Sequence, residues 1–251
     1  MKAISVSGYH HTGKTTVCEV LIKGLKARGY SVCSIKDIHS EEFTMEKAGS
    51  NSDKHYQAGA EPVFARGLGE TNLIWRKQLV FLEMLPHLHA DWLIVEGMRD
   101  LAMPRIVCGD DADKIAEMVN ETVFAISGKY ADEHDKYEEL PVISALNDSE
   151  KLVELAIEKG FDVLPQAKPE CCSQCGMNCH EFTGAVLRGE RQRNECVTEN
   201  LGKVRFWIDD EEQKIVPFVQ DIFFDVINGF LRNLKGYKNG KIRVEFNSDG
   251  K

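Results

Sequence analysis

The stretch Gly8-Tyr9-His10-His11-Thr12-Gly13-Lys14-Thr15-Thr16 meets every fixed position of GxxxxGK[ST], and it lies between a short apolar run and a helical pattern. This placement constrains the fold more than any other feature of the chain. A strand has to deliver the loop and a helix has to leave it, with glycines letting backbone N–H groups turn inward around an anion that also meets the positive end of the helix. The loop predicts a site for a nucleoside triphosphate with Mg²⁺, lined by Gly8, Gly13, Lys14, Thr15 and Thr16. Lys14 would reach the β- and γ-phosphates, and Thr15 would give its hydroxyl to Mg²⁺. His10 and His11, inside the loop, read as solvent-facing and take no role.

Apolar runs of strand length occur at residues 3–7, 31–36, 62–65, 92–96, 105–108 and 123–127, and helical patterns alternate with them. The first helix, over residues 14–28, carries Val17, Leu21 and Leu25 at i+4 spacing and stops at Gly29. Such alternation predicts an α/β fold, a P-loop NTPase domain with a largely parallel sheet, over residues 1–164. Asp91-Trp92-Leu93-Ile94-Val95-Glu96-Gly97 is an apolar strand ending in an acid, the Walker B arrangement with Glu in place of Asp. Glu96 would hold a Mg²⁺-bound water or polarise an attacking one, so Lys14 and Glu96 are the candidate catalytic residues. Asp37, at the end of the second predicted strand, is a further candidate for the Mg²⁺ shell. Without the loop, either carboxylate would read as a cap for its neighbouring turn.

With 31 Lys+Arg against 40 Asp+Glu the net charge is −9, which gives no general attraction to nucleic-acid backbones or anionic lipid. No run approaches the roughly 20 apolar residues of a membrane span, and the apolar start of the chain is too short for a signal peptide. The expectation is a cytoplasmic protein with reduced thiols, so its eight cysteines are not a disulfide framework.

Five of those cysteines, Cys171, Cys172, Cys175, Cys179 and Cys196, fall in one segment that follows a pattern-poor stretch. Cys172, Cys175 and Cys179, with Cys196 returning after a short helix over residues 181–190, supply the four thiolates that a [4Fe-4S] cluster or a Zn²⁺ site requires. The long gap before the last ligand differs from the paired CxxC…CxxC of zinc ribbons, and Gly176 lets backbone N–H groups approach cluster sulfurs. The CxxCG…C…GE…C pattern is similar to the small [4Fe-4S] module of electron-transfer and corrinoid proteins, with one residue fewer before the third cysteine. That deletion keeps zinc as the rival. Cys171 could stand in for Cys172, and His180 could serve as an alternative zinc ligand or hydrogen-bond to one of the ligands. Cys18, Cys33 and Cys108, in apolar contexts, read as buried small side chains.

The cysteine segment is expected to span residues 165–200, and a small α+β unit residues 201–251. In that unit, Val204, Phe206 and Ile208 alternate with polar neighbours and Trp207, and an acidic turn over residues 209–212 leads to Ile215-Val216, predicting a hairpin. Val219, Ile222, Phe223, Val226, Ile227, Phe230, Leu231 and Leu234 then mark one apolar helix face, expected to be core, with a last strand at Ile242, Val244 and Phe246.

Ser34-Ile35-Lys36-Asp37-Ile38-His39, Glu46-Lys47-Ala48-Gly49, Ala58-Gly59-Ala60-Glu61 and Val95-Glu96-Gly97 together resemble the molybdopterin-guanine dinucleotide biosynthesis adaptor family, MobB, over roughly the first 155 to 160 residues. This chain departs from the family pattern at Asp37, where His is frequent, at Glu46 for Asp, at Asn51-Ser52 for Asp-[ST], and at Met98-Arg99 for aromatic-Lys. The resemblance implies a GTP-binding protein, preferring GTP over ATP, with weak hydrolysis and a homodimeric state. It further implies a role in attaching a nucleotide to molybdopterin beside the guanylyltransferase of the pathway, or in delivering cofactor to a molybdenum or tungsten enzyme. Ser127-Gly128-Lys129 through Asp132 loosely resembles an N-K-x-D base-reading loop. Two other classes of function stay open: a nucleotide-driven iron-sulfur or metal carrier, in which the cluster is cargo, and a small-molecule ligase or kinase.

Overall fold

The computed structural model describes residues 1–40, 42–166, 175–196, 204, 206–208, 211–213, 217–238 and 242–244. The chain divides into two compact units, Met1–Glu195 and Cys196–Lys251.

The first unit is built on a sheet of β1 (Lys2–Gly8), β2 (Val32–Lys36), β5 (Trp92–Glu96), β6 (Arg105–Cys108) and β7 (Val123–Ser127) in the order β2-β5-β1-β6-β7. All four pairings along this path are parallel. Short helices α3 (Phe81–Met84) and α4 (Ala112–Ala116) and a small antiparallel pair, β8 (Lys136–Tyr137) with β9 (Leu140–Pro141), lie along the connections, and β10 (Phe161–Asp162) adds antiparallel to the start of β1. The strands at the centre are apolar throughout because both faces are covered. Ile4, Val6, Ile94, Ile106 and Cys108 pack with Val17, Leu21 and Leu25 of α1 (Lys14–Ala27) and Leu152, Val153 and Ala156 of α5 (Ser149–Lys159). Ala3, Leu93 and Val95 point the other way, onto Phe81, Leu101 and Met103. The predicted parallel sheet is therefore present, with the phosphate loop at the carboxyl end of its central strand.

The strand expected over residues 62–65 forms, as β3 (Val63–Arg66), but outside that sheet: it pairs antiparallel with β4 (Thr71–Ile74) in a separate hairpin. Its side chains explain the placement. Only Val63 is buried, whereas Phe64 is 68% exposed, and a strand covered on one side alone cannot occupy a doubly covered sheet. Before it, α2 (Asn51–Gln57) is capped by the Ser50 hydroxyl, which accepts from Asp53 N at 3.0 Å. The helix ends at Ala58-Gly59-Ala60, where Gly59 takes φ +102° and Ala60 N reaches the His55 carbonyl.

The short helix expected in the cysteine segment is α6 (Cys179–Leu187), started by an Asn178/Glu181 capping box and followed by Gly189 at φ +76°. It belongs to the first compact unit, so the units part well beyond the composition change at residue 164. Packing is the reason. Phe182 and Ala185 are buried, and Gly184 lies so close to Glu121 that a Cβ would come within 2.9 Å of the Glu121 carbonyl oxygen.

In the second unit, β11 (Phe206–Ile208) and β12 (Glu211–Gln213) form an antiparallel hairpin. Its return strand lies on acidic residues that were expected as the turn, because the Ile208↔Glu211 register leaves only two residues to reverse the chain. Ile215 and Val216 lie outside the described residues. The helix is α7 (Pro217–Leu231), and its stripe does not behave as core within this unit: Ile222, Val226 and Phe230 are 46%, 65% and 67% exposed. Among the described residues, two three-residue strands span about 10 Å each, against about 22 Å for a 15-residue helix. Ile242 and Val244 are exposed and not in a strand; Phe246 lies outside the described residues.

Candidate functional site

Gly8 ends β1 and opens the phosphate loop at a position where a Cβ would lie 2.3 Å from the Cys108 carbonyl oxygen and 2.7 Å from Thr12 Oγ1. Gly13 closes the loop at φ +98° and forms the N-cap of α1. Having no side chain, it leaves the first N–H groups of the helix to an external acceptor. Thr12 is fully buried and donates to the Tyr9 carbonyl at 3.0 Å, and Lys14 Nζ donates to the same oxygen at 2.5 Å. Thr16 follows in the first turn of α1, exposed.

The parallel registers Val6↔Glu96 and Lys36↔Glu96 bring three strand ends together beside the head of α1. The Thr15 hydroxyl donates to Glu96 Oε1 at 3.0 Å, and Lys36 Nζ lies 3.1 Å from the same carboxylate oxygen and 3.3 Å from Thr15 Oγ1. A hydroxyl and a carboxylate are hard oxygen donors of the kind Mg²⁺ selects, so the residues present fit that ion. Only the register of β2 against β5 brings Lys36 to Glu96, which it neutralises.

Asp37 stands next to this group, and its carboxylate is engaged by neighbouring residues. Its backbone N–H donates to the Glu96 carbonyl at 2.8 Å, while its carboxylate accepts from Met98 N at 3.4 Å and meets His39 Nε2 at 3.2 Å. The backbone after β5 turns sharply, with Gly97 at φ +95° and Met98 at φ +49°. It brings Arg99 back to the phosphate loop, where Nη2 donates to the Gly8 carbonyl at 3.3 Å and the guanidinium lies 5.0 Å over the Tyr9 ring. The Tyr9 hydroxyl donates to Glu117, and this bond raises its pKa.

On the far side, Gly128 at φ +77° packs against the loop so closely that a Cβ would lie 2.1 Å from the Thr12 carbonyl oxygen, and Lys129 N donates to that oxygen at 3.2 Å. Beneath the site Cys18 and Cys108 are buried; burial pushes the Cys18 thiol up to about 12 and Cys108 higher still. Two recesses elsewhere, of about 290 Å³ between the ends of α5 and α6 and about 390 Å³ between α2 and the β3–β4 hairpin, share no residue with the phosphate loop. The candidate site is an open rim identified by its chemistry.

Of the cysteine set, Cys172 lies outside the described residues. Cys175 donates its thiol to the Met177 carbonyl at 3.2 Å, Cys179 is the first residue of α6, and Cys196 opens the second unit. Among the described residues, no group of three or more His, Cys, Asp or Glu side chains is arranged to hold a metal ion. No helix of the described residues is long and apolar enough to cross a membrane.

The model of the family described as MobB, molybdopterin guanine dinucleotide synthesis protein B, matches residues 3–129. A protein of Methanocaldococcus jannaschii, provisionally named a molybdopterin-guanine dinucleotide biosynthesis adapter protein, is 28% identical over 98% of this chain and 97% of its own length. A Bacillus subtilis protein with the same provisional name is 23% identical over 57% of this chain and 84% of its own. The crystal structure of Bacillus subtilis MobB superposes at a TM-score of 0.52 with 20% identity, covering 63% of this chain and 97% of that one, a likeness of fold.

Proposed function

This chain belongs to the MobB family of molybdopterin guanine dinucleotide synthesis proteins, and on that premise we propose that it is a Mg²⁺-dependent GTP-binding adapter in this biosynthesis, with weak GTP hydrolysis. The observation that carries the reading is the convergence of Thr15 and Glu96 at the head of α1, immediately after Gly13 and Lys14. In this reading the α1 N–H groups and Lys14 hold the phosphates, with Lys14 leaving the Tyr9 carbonyl for a charged acceptor that binds it more strongly. Thr15 and Glu96 would hold Mg²⁺, which would supply positive charge against the phosphates, and Lys36 is the cation that pairs with the Glu96 carboxylate in the structure as it stands. Asp37 acts from behind, by fixing the turn at Gly97-Met98.

The preference for GTP over ATP rests on the family. So do the homodimer and the partners: molybdopterin, the guanylyltransferase of the pathway and the molybdenum or tungsten enzyme that receives the cofactor. The P-loop domain over residues 1–164 would carry this function, with a metal segment over 165–200 and a small carboxy-terminal unit over 201–251. Cys172, Cys175, Cys179 and Cys196 are proposed to hold a [4Fe-4S] cluster, with Zn²⁺ as the alternative occupant. The cysteine set also supports a second reading, a nucleotide-driven iron-sulfur or metal carrier.

Calorimetric titration of anaerobically purified protein with GTP and ATP, combined with metal analysis, tests these readings. Tight GTP binding that is lost in Lys14→Ala is expected. Equal affinity for ATP, joined to a cluster that transfers to an acceptor, would favour the carrier. Brown protein bleached by Cys175→Ser is expected for the cluster, whereas colourless protein with one zinc per chain would replace iron with zinc.

A further inference from the structure

We propose that Arg99 is the residue through which the loop after β5 recognises the terminal phosphate of a bound triphosphate, and that Arg105 is the positioning residue for that loop. The inference rests on the nucleotide-binding reading above and adds a residue that separates triphosphate from diphosphate.

Topology supplies the direction. Glu96 ends β5 on one side of β1, and the Ser127–Lys129 contact lies on the other, beyond β6. If Thr15 and Glu96 held Mg²⁺, a terminal phosphate bound to that ion would fall on the β5 side of the loop, towards the chain that follows Glu96. Arg99 is the cation on that segment that touches the phosphate loop. It donates to the Gly8 carbonyl and lies over the Tyr9 ring, while Lys14 donates to the Tyr9 carbonyl. Two cations therefore engage consecutive residues of one loop, both through neutral partners. A guanidinium bonds an anionic phosphate more strongly than a neutral carbonyl, because both partners are then charged, and in a two-toothed geometry that a carbonyl cannot offer. A terminal phosphate would take Arg99 from Gly8; a diphosphate would leave it there.

The backbone under Arg99 is held more firmly than an exposed loop requires. Met98, with a full side chain, is kept in the left-handed region at φ +49°. Arg105 is only 2% exposed, and its Nη2 donates to the Arg99 carbonyl at 2.7 Å and the Leu101 carbonyl at 2.9 Å. Burying a cation is costly, and here the cation is used to fix the carbonyl of the residue whose side chain reaches the phosphate loop.

The test is a pair of dissociation constants, for the non-hydrolysable analogue guanylyl imidodiphosphate and for GDP, both with Mg²⁺, in wild type, Lys14→Ala, Arg99→Ala, Arg99→Lys and Arg105→Lys. Arg99 is exposed, so its variants should fold, and a thermal melt checks this. Arg99→Ala is expected to weaken the triphosphate analogue by about tenfold or more and GDP by less than about twofold, with Arg99→Lys in between. Arg105→Lys keeps a buried cation that cannot hold both carbonyls in the same way, and should lower the same ratio. An unchanged ratio in Arg99→Ala, or equal weakening of both ligands, overturns the proposal while Lys14→Ala still reports a working phosphate site. Failure of the wild type to bind either ligand would instead overturn the nucleotide-binding reading itself.

Discussion

Substitution of Gly128 by Ala tests whether the loop after β7 is a rigid wall of the phosphate site. Two effects add. The residue sits at φ +77°, and an L side chain in the left-handed region costs about 1–2 kcal/mol. The new Cβ would also lie 2.1 Å from the Thr12 carbonyl oxygen and 3.0 Å from Cys108 Cβ. The first of these is backbone, so no side-chain rotation relieves it, and forced displacement in a packed site costs about 1–3 kcal/mol. Together these predict about 2–5 kcal/mol of destabilisation. Gly59→Ala is the control, since Gly59 has φ +102° with nothing within 4 Å of its Cβ, and only the backbone cost of about 1–2 kcal/mol applies. Urea unfolding of both variants, followed by Trp fluorescence, gives the difference. Because Thr12 is the displaced residue and accepts from Lys129, Gly128→Ala should also weaken binding of a fluorescent GTP analogue, while Gly59→Ala should not. Equal stability losses in the two variants, with equal nucleotide affinity, would refute the rigid contact.

Three other outcomes follow from the same structure. Glu96→Gln keeps the shape of the side chain and removes its charge, so nucleotide affinity should lose most of its dependence on Mg²⁺ in a titration with and without chelator; retained dependence would remove Glu96 from the metal site. The Asp53 carboxyl is held below its ordinary pKa chiefly by the Gly49 N–H, with Gln57 and Arg76 adding to it. A depressed carboxyl stabilises the fold above its unfolded pKa and loses that contribution as pH falls through the folded value. The Asp53→Asn variant should therefore show a smaller fall in urea midpoint between pH 5 and pH 2, estimates set by an ordinary Asp pKa of about 3.9, and an unchanged fall would contradict this. Cys18, its thiol pushed up to about 12, would be on the order of one part in ten thousand thiolate at pH 8, so it should escape iodoacetamide in the folded protein and react after denaturation, as read by peptide mass spectrometry.

Much of the candidate site's local geometry was legible because its code is local. Gly8, Gly13, Lys14 and Thr15 act through the conformation of their own loop, and Glu96 ends a strand whose apolar run is visible in seven consecutive residues from Asp91 to Gly97. The same holds for the end of α2 at Ala58-Gly59-Ala60, where one left-handed glycine suffices. Less of the remainder could be read. An apolar stripe reports that a helix has one greasy face and says nothing about what lies over it, which is why α7 reads as core while its stripe stays exposed in its own unit. In the hairpin before it, pairing is set by register across the turn, and Glu211–Gln213 pair with Phe206–Ile208.

The sequence by itself determined that a GxxxxGK[ST] loop joins a strand to a helix in an α/β unit, since the spacing of a few glycines, a lysine and a threonine is a property of adjacent residues. Only the tertiary structure decided which distant side chains complete that loop. Lys36 meets Glu96 across sixty positions, Arg99 meets Gly8 across ninety-one, and Gly128 closes on Thr12 because β7 lies two strands from β1. The physical reason is that such contacts are fixed by strand order and register, and these are set by the packing of the whole sheet.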